Sequence, residues 1–331
     1  MSTTAEITYT DLREHPAVRA WRELWPRWAG PERIEILQEV KKSAVYRLEG
    51  VGLGRTAIIA KRCRMRIAST ERMIHESVLP GLPITALHYY GFVEEDDQFC
   101  WLFLEDAGQE RFSPLIEEHR ALAARWLALL HTSAGRVPAA AHLPDGGPDH
   151  YLEHLRSGRD MIRRHLSHPA LSAGDLALLE AIISQCDFLE SRWDEIENEC
   201  EGIPSTLVHG DFQPKNIHVR TGQAGMSLFP VDWEMAGWGI PAADLAPAAG
   251  LALVPQVDII TYWTIVHECW PGLNIQAIQR LVKLGEVFRQ LAAISWASLD
   301  LAYEWVETAL HNMRVYQAEL SQAIQTIAWA K

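Results

Sequence analysis

The stretch that decides the fold runs from Leu207 to Ala246. It opens L-V-H-G-D-F-Q-P-K-N-I-H-V-R (207–220), passes through a short glycine-containing link, and closes L-F-P-V-D-W-E-M-A-G-W-G-I-P-A-A-D-L-A (228–246). Three polar residues stand against apolar flanks: Asp211, Asn216 five positions later, and Asp232 after the next apolar run. Phosphoryl transfer calls for such a set: a carboxylate to hold an acceptor hydroxyl, and hard oxygen ligands to hold Mg²⁺ on phosphates. On a loop, Asp211 can serve as the first. Asn216 and Asp232 can supply the second.

The spacing resembles the catalytic loop of protein kinases, an Asp and an Asn five apart followed by a strand-borne metal Asp. The details narrow it. H-G-D-x-x-P-x-N, a strand ending in D-W-E, and then G-x-P-x-x-D-L-A resemble the aminoglycoside phosphotransferase and choline kinase family. The residues are His209, Gly210, Asp211, Pro214, Asn216, Asp232, Trp233, Glu234, Gly239, Pro241, Asp244, Leu245 and Ala246. A protein kinase would carry D-F-G at Asp232 and A-P-E beyond it. This chain has D-W-E and no A-P-E, which favours a small-molecule acceptor. The pattern is composite and long, so a polar loop that merely solvates two strands is a poor account of it.

The resemblance implies a two-lobed, protein-kinase-like α+β fold. A small antiparallel-sheet lobe would span residues 1–105 and bind the nucleotide. A large, mostly helical catalytic and substrate lobe would span 106–331. ATP (or GTP) is expected between them with Mg²⁺ held by Asn216 and Asp232. Lys61 ends a strand directly after Ile-Ile-Ala and would reach the phosphates, with Glu76 as the helix partner and Glu71 the competitor. Ser43, in the turn Lys41-Lys42-Ser43-Ala44, falls where the family covers the nucleotide, although the turn lacks the usual Gly. Phe103 and Glu105 fall at the strand exit whose backbone would meet the purine edge. Asp211 would orient the acceptor hydroxyl and take its proton. His209 and Asp244 would hold the loop, and His131 reads as a packed helix-end histidine. Lys215 either touches the γ-phosphate or points to water.

Of the 331 residues, 48% are hydrophobic and 22% charged, ordinary for a soluble globular chain able to bury a sizeable core. The formal charge of −13 argues against general binding to nucleic acid or anionic membrane and suits a cationic small molecule or plain solubility. Five scattered cysteines show neither a disulfide framework nor zinc-ligand spacing. No basic-then-apolar leader and no membrane-length apolar run is present, so a cytoplasmic protein is expected; monomer and homodimer both stay open.

Helical patterns are expected over 10–28, 70–79, 117–131, 150–165, 175–199, 254–267, 275–291 and 292–320, and strands over 45–48, 56–61, 87–93 and 99–104. Trp233, Glu234 and Trp238 follow Asp232 directly. Trp296, Asp300 and Tyr303/Glu304 recur at helical spacing. Aromatic faces with acids suit a cationic acceptor, so these residues are candidates for its site, or else form core with a solvated edge.

Three functions compete. One is an antibiotic kinase acting on an aminoglycoside-like or nucleoside-like hydroxyl, for resistance or producer self-protection. The second is a metabolic kinase for choline, homoserine or a sugar. The third is a nucleotide-binding scaffold without transfer activity, against which the set Asp211, Asn216, Asp232 and Lys61 counts.

Overall fold

The computed structural model describes residues 12–28, 30–40, 43–223, 225–251, 254–303, 305–327 and 329. The start of the first expected helix, Lys41 and Lys42 of the nucleotide-covering turn, and Glu304 lie outside them. The chain packs as two units: Met1–Arg111 with His218–Glu234, and Phe112–Ile217 with Met235–Lys331. The expected split put everything after residue 105 in the second unit; here the segment bearing Asp232 groups with the first.

The first unit is an antiparallel sheet in the order β1-β2-β3-β5-β4. Its strands are β1 (Arg33–Val40), β2 (Ser43–Glu49), β3 (Ile58–Arg64), β4 (Tyr89–Glu94) and β5 (Phe99–Glu105). Strict alternation sends Ala44, Tyr46 and Leu48 of β2 inward, where they meet Ile58, Ala60, Trp101 and Phe103. Helix α1 (Pro16–Leu24) lays Ala17, Val18 and Trp21 into the same cluster. Cys63, Cys100 and Leu102 pack with Ala68 of helix α2 (Met65–Met73), which follows β3 without a loop. A hairpin, Ile217–Gly222 with Gly225–Pro230, completes the unit. Its Arg220 holds the exit of β5 through the Glu105 carboxylate at 2.5 Å and the Ala107 carbonyl at 3.0 Å.

The second unit is helical: α3 (Glu117–Ser133), α4 (Pro148–His165), α5 (Ala173–Glu190), α6 (Trp193–Cys200), the single turn α7 (Ala242–Leu245), α8 (Ile259–Cys269), α9 (Ile275–Ser298) and α10 (Glu307–Thr326). A three-stranded patch sets Gly237–Gly239 between Asp145–Gly146 and Thr206–Val208. The helix expected over 175–199 is two helices, because the chain breaks at Ser191, whose hydroxyl turns back to the Phe188 carbonyl at 2.7 Å. The division expected at residue 291 is absent: α9 continues to Ser298 and then tightens into a 3₁₀ turn, Leu299–Ala302. Trp296 and Asp300 therefore do not share one α-helical face. No helix among the described residues is long and apolar enough to cross a membrane.

Candidate active site

The loop after Thr206–Val208 is held through its backbone. Gly210 sits at φ +77°, and a Cβ there would come within 2.3 Å of the Met235 carbonyl oxygen, so only glycine fits. The fully buried Asp244 carboxylate accepts from the backbone N–H of His209 at 2.7 Å and of Gly210 at 3.0 Å. His131 Nε2 donates to the same carboxylate at 3.3 Å, and Tyr262 Oη lies 2.9 Å from His131 Nδ1. Burial alone would raise the Asp244 carboxyl. The His131 hydrogen bond and charge, followed by His209, outweigh it and hold the group below its ordinary value.

Asp211 emerges from this braced loop 6% exposed. Gln213 Nε2 donates to its Oδ1. Asn216 Nδ2 donates to its Oδ2 at 2.8 Å and to its backbone carbonyl at 3.0 Å. With its nitrogen committed to the loop, the Asn216 amide keeps its oxygen as the atom to offer a cation. Lys215, largely exposed, places Nζ 2.9 Å from Asp211 Oδ2. Tyr316 and Glu319 of α10 lie in the same neighbourhood. The Tyr316 hydroxyl is raised by burial, opposed by Lys215 and reinforced by Glu319 and Asp211. Glu319 accepts from Gln290 Nε2 at 2.7 Å and from the Gly250 N–H at 2.8 Å. Pro255 and Val257 line a cavity of about 790 Å³, while Gln256 between them donates to the Phe212 carbonyl. That cavity backs the loop rather than opening on Asp211.

In the first unit, Lys61 Nζ lies 2.7 Å from Glu71 Oε2 and 2.5 Å from Asp232 Oδ1. Burial would lower the ammonium's pKa; Glu71 and then Asp232 outweigh it, so the group is held well above its ordinary value. Asp232 takes φ +68°, a left-handed conformation that costs a non-glycine residue about 1–2 kcal/mol. Such strain persists where surroundings impose it, and here it keeps a 37% exposed carboxylate against Lys61. Its hard oxygens suit Mg²⁺, which is held by one or two carboxylates plus phosphate oxygens rather than by a protein cage. Among the described residues no group of three or more His, Cys, Asp or Glu side chains forms such a cage.

The expected partner of Lys61, Glu76, is elsewhere. The buried face of α2 and the π-helical turn after it carries Glu71, Ile74, His75 and Val78, the i, i+3, i+4, i+7 set. Glu76 falls on the opposite face, 3.0 Å from Arg72 and 2.8 Å from Tyr89 Oη. The i, i+4 pair Arg72 and Glu76 was the signal in the sequence that Glu76 was spoken for. Ser43 pairs with Val40 in the β1-β2 ladder. Phe103 is buried in the core, and the Glu105 carboxylate binds Arg220 and accepts from the His88 N–H at 3.0 Å. Trp233 is 1% exposed, so its ring offers no face to a ligand. Glu234 is exposed and Trp238 half-buried on Gly237–Gly239. Trp296 meets the His154 ring edge-on at 5.7 Å, and Asp300 is exposed on its 3₁₀ turn. Gln213 sits at a variable position inside the loop pattern, and Tyr316, Glu319, Gln256 and Arg289 carry no local pattern at all, so the sequence singles out none of the five.

The family model of the phosphotransferase enzyme family matches residues 67–265. That is more than half of the chain, which belongs to this family. Comparison with curated protein sequences gives no significant match. Among solved structures, the GDP and kanamycin complex of APH(2")-IIia is similar at 14% identity and TM-score 0.61, covering 91% of this chain and 97% of that one. A Plasmodium vivax ethanolamine kinase is similar at 14% identity and TM-score 0.59, over 88% and 82%. Spectinomycin phosphotransferase APH(9)-Ia, complexed with ADP and spectinomycin, is similar at 13% identity and TM-score 0.58, over 92% and 97%. The fold is the protein-kinase-like α+β fold, an antiparallel-sheet unit and a helical one.

Proposed function

We propose that this phosphotransferase moves the γ-phosphoryl group of ATP or GTP to a hydroxyl of an amine-bearing small molecule, an antibiotic of the aminoglycoside-like or nucleoside-like kind. The observation that carries the reading is the braced Asp211, a buried carboxylate fixed by side chains at both oxygens. The acceptor oxygen attacks the γ-phosphorus, the bond to the β-bridging oxygen breaks, and the nucleoside diphosphate leaves. The acceptor proton passes to Asp211 and then to solvent. Lys61, held by Glu71, pairs with the phosphates, and Ser43 and the backbone beside Phe103 and Glu105 contribute to the nucleotide site. Asp232 and Asn216 would hold Mg²⁺, which supplies neutralisation of phosphate charge. Catalysis of this kind is positioning and electrostatics rather than covalent chemistry.

Glu319 and Tyr316 of α10, with Glu234, are the groups assigned to the acceptor's cationic end. The kanamycin and spectinomycin complexes of two similar structures support an antibiotic acceptor. Near-equal similarity to an ethanolamine kinase supports the second reading, a metabolic kinase for choline, homoserine or a sugar. Nucleoside diphosphate release measured against a panel of hydroxylated antibiotics and metabolites decides between them. In the productive pair, Asp211→Asn should lower kcat by more than about tenfold, over ~1.4 kcal/mol, with nucleotide affinity unchanged. A variant retaining more than a tenth of kcat would remove Asp211 from the transfer step.

A further inference from the structure

Phe212 follows Asp211, and its carbonyl is met by two buried side chains that no motif contains. Gln256 Nε2 donates to it, and Arg289 Nη2 lies 3.3 Å away. The same Arg289 nitrogen donates to the carbonyl of Ala243, the residue before Asp244. Arg289 is 5% exposed and Gln256 1%. Among the described residues, no carboxylate lies within ion-pair distance of Arg289, and its Nε and Nη1 have no hydrogen-bond partner. Burial pulls the guanidinium below its ordinary pKa; the nearby charges of Asp211, Asp244 and Tyr151 oppose that.

A cation buried without a salt bridge destabilises the fold, so stability alone does not account for it. Its placement is built in. One turn earlier on α9, a Cβ at Gly285 would lie 1.9 Å from the Ala242 carbonyl oxygen. The glycine lets α9 press against α7, which brings Arg289 to both carbonyls.

We propose that Arg289 is a positioning residue for phosphoryl transfer. Asp244 fixes the loop on the N-terminal side of Asp211 through the N–H groups of His209 and Gly210. Arg289 and Gln256 fix it on the C-terminal side through the Phe212 carbonyl. Arg289 also ties that carbonyl to the turn that carries Asp244, so both restraints move as one body. The inference rests on Asp211 as the residue that takes the acceptor proton, and it goes beyond that reading by naming what aims the carboxylate.

The test uses the whole chain with Arg289→Met, Arg289→Lys and Gln256→Leu. Misplacement of a reacting group by about 1 Å costs on the order of 100-fold. Arg289→Met should therefore lower kcat by about that factor with the nucleotide KM within twofold, and Arg289→Lys should recover activity to within about tenfold of the wild type. A folded Arg289→Met with kcat within threefold of wild type, or a loss confined to the nucleotide KM, overturns the proposal. Should Arg289→Met fail to fold, Gln256→Leu decides: loss of one donor should lower kcat about tenfold, and an unchanged kcat overturns it. Amide exchange at residues 211–213 needs no acceptor and separates this inference from the functional reading. Faster exchange in the variants, with α4 amides unchanged, supports the restraint even if the wild type transfers no phosphate. Equal exchange overturns it even if the wild type is active.

Discussion

Asp211 and Lys61 are held by different means. The loop around Asp211 is fixed through its backbone: two N–H groups on the Asp244 carboxylate, one carbonyl on Arg289 and Gln256, and a glycine against the Met235 carbonyl. Lys61 is fixed by side chains alone, reaching from β3 to Glu71 on α2 and to Asp232. Backbone restraints demand particular residues at adjacent positions, so they leave a contiguous signature. A side-chain pair between a strand and a helix demands only that the helix present the right face. A signature of adjacent residues does not record that face, which is why Glu76 and Glu71, five residues apart on α2 and its continuation, compete as partners of Lys61 in the sequence.

The largest expected effect lies on the backbone side. Asp244→Ala leaves the His209 and Gly210 N–H groups and His131 buried without their acceptor. Removing one member of a buried charged set costs about 3–5 kcal/mol. Thermal melting should show a loss of that size together with loss of transfer. The pH dependence sharpens it. Asp244 is held below its ordinary value of 3.8 in the folded chain, so the unfolded chain binds the proton more readily. Its contribution is whole above that value and is lost as pH falls below it toward the folded pKa. The stability gap between wild type and Asp244→Asn should therefore narrow as pH drops below about 4. A gap constant from pH 6 to pH 3 would show that the carboxylate's charge is not what holds the loop.

The side-chain half should respond less, and selectively. Glu71→Gln removes the charge that holds Lys61 and, on the proposed role of Lys61 at the phosphates, should raise the nucleotide KM about tenfold, ~1.4 kcal/mol. Glu76→Gln breaks an exposed pair with Arg72, of a kind worth ~0–1 kcal/mol, and should leave that KM within about twofold. Initial rates at varied nucleotide and fixed acceptor check both. The reverse ranking would mean that α2 turns its other face to Lys61 when nucleotide is bound.

What was legible in the sequence follows the same division. Residues 206–216 and 232–246 announced the fold, because Gly210 there serves a close backbone approach and Asp211, Asn216 and Asp244 serve buried polar contacts. β1 went unread because a register shift between Ile36 and Gln38 breaks the period-two alternation, leaving Ile36 and Leu37 adjacent. The break in 175–199 and the continuity of α9 were hidden because apolar stripes run through both positions while the deciding hydrogen bonds are local. Gln256 and Arg289 reach the Phe212 carbonyl of the Asp211 loop from positions 44 and 77 residues further along the chain. Nothing in a local window distinguishes Arg289 from other residues of α9, or Gln256 from other residues of the loop before α8.

The smallest expected effect tests the acceptor side, where sequence and structure disagree most. Spacing puts Trp296 and Asp300 on one helical face, either a wall for the acceptor or core with a solvated edge. The structure ends α9 between them, sets the Trp296 ring against His154 and leaves Asp300 exposed. Glu319, by contrast, is anchored by Gln290 and the Gly250 N–H near Tyr316, whose hydroxyl feels Asp211. Asp300→Asn should accordingly shift stability by less than about 0.5 kcal/mol and leave both Michaelis constants within experimental scatter. Glu319→Gln keeps the shape, withdraws the charge, and should raise the acceptor KM severalfold without moving the nucleotide KM. Measuring both constants for both variants places the acceptor. A raised acceptor KM in Asp300→Asn with none in Glu319→Gln would move it to the end of α9, and the backbone-held loop would then be served from a different wall of the helical unit.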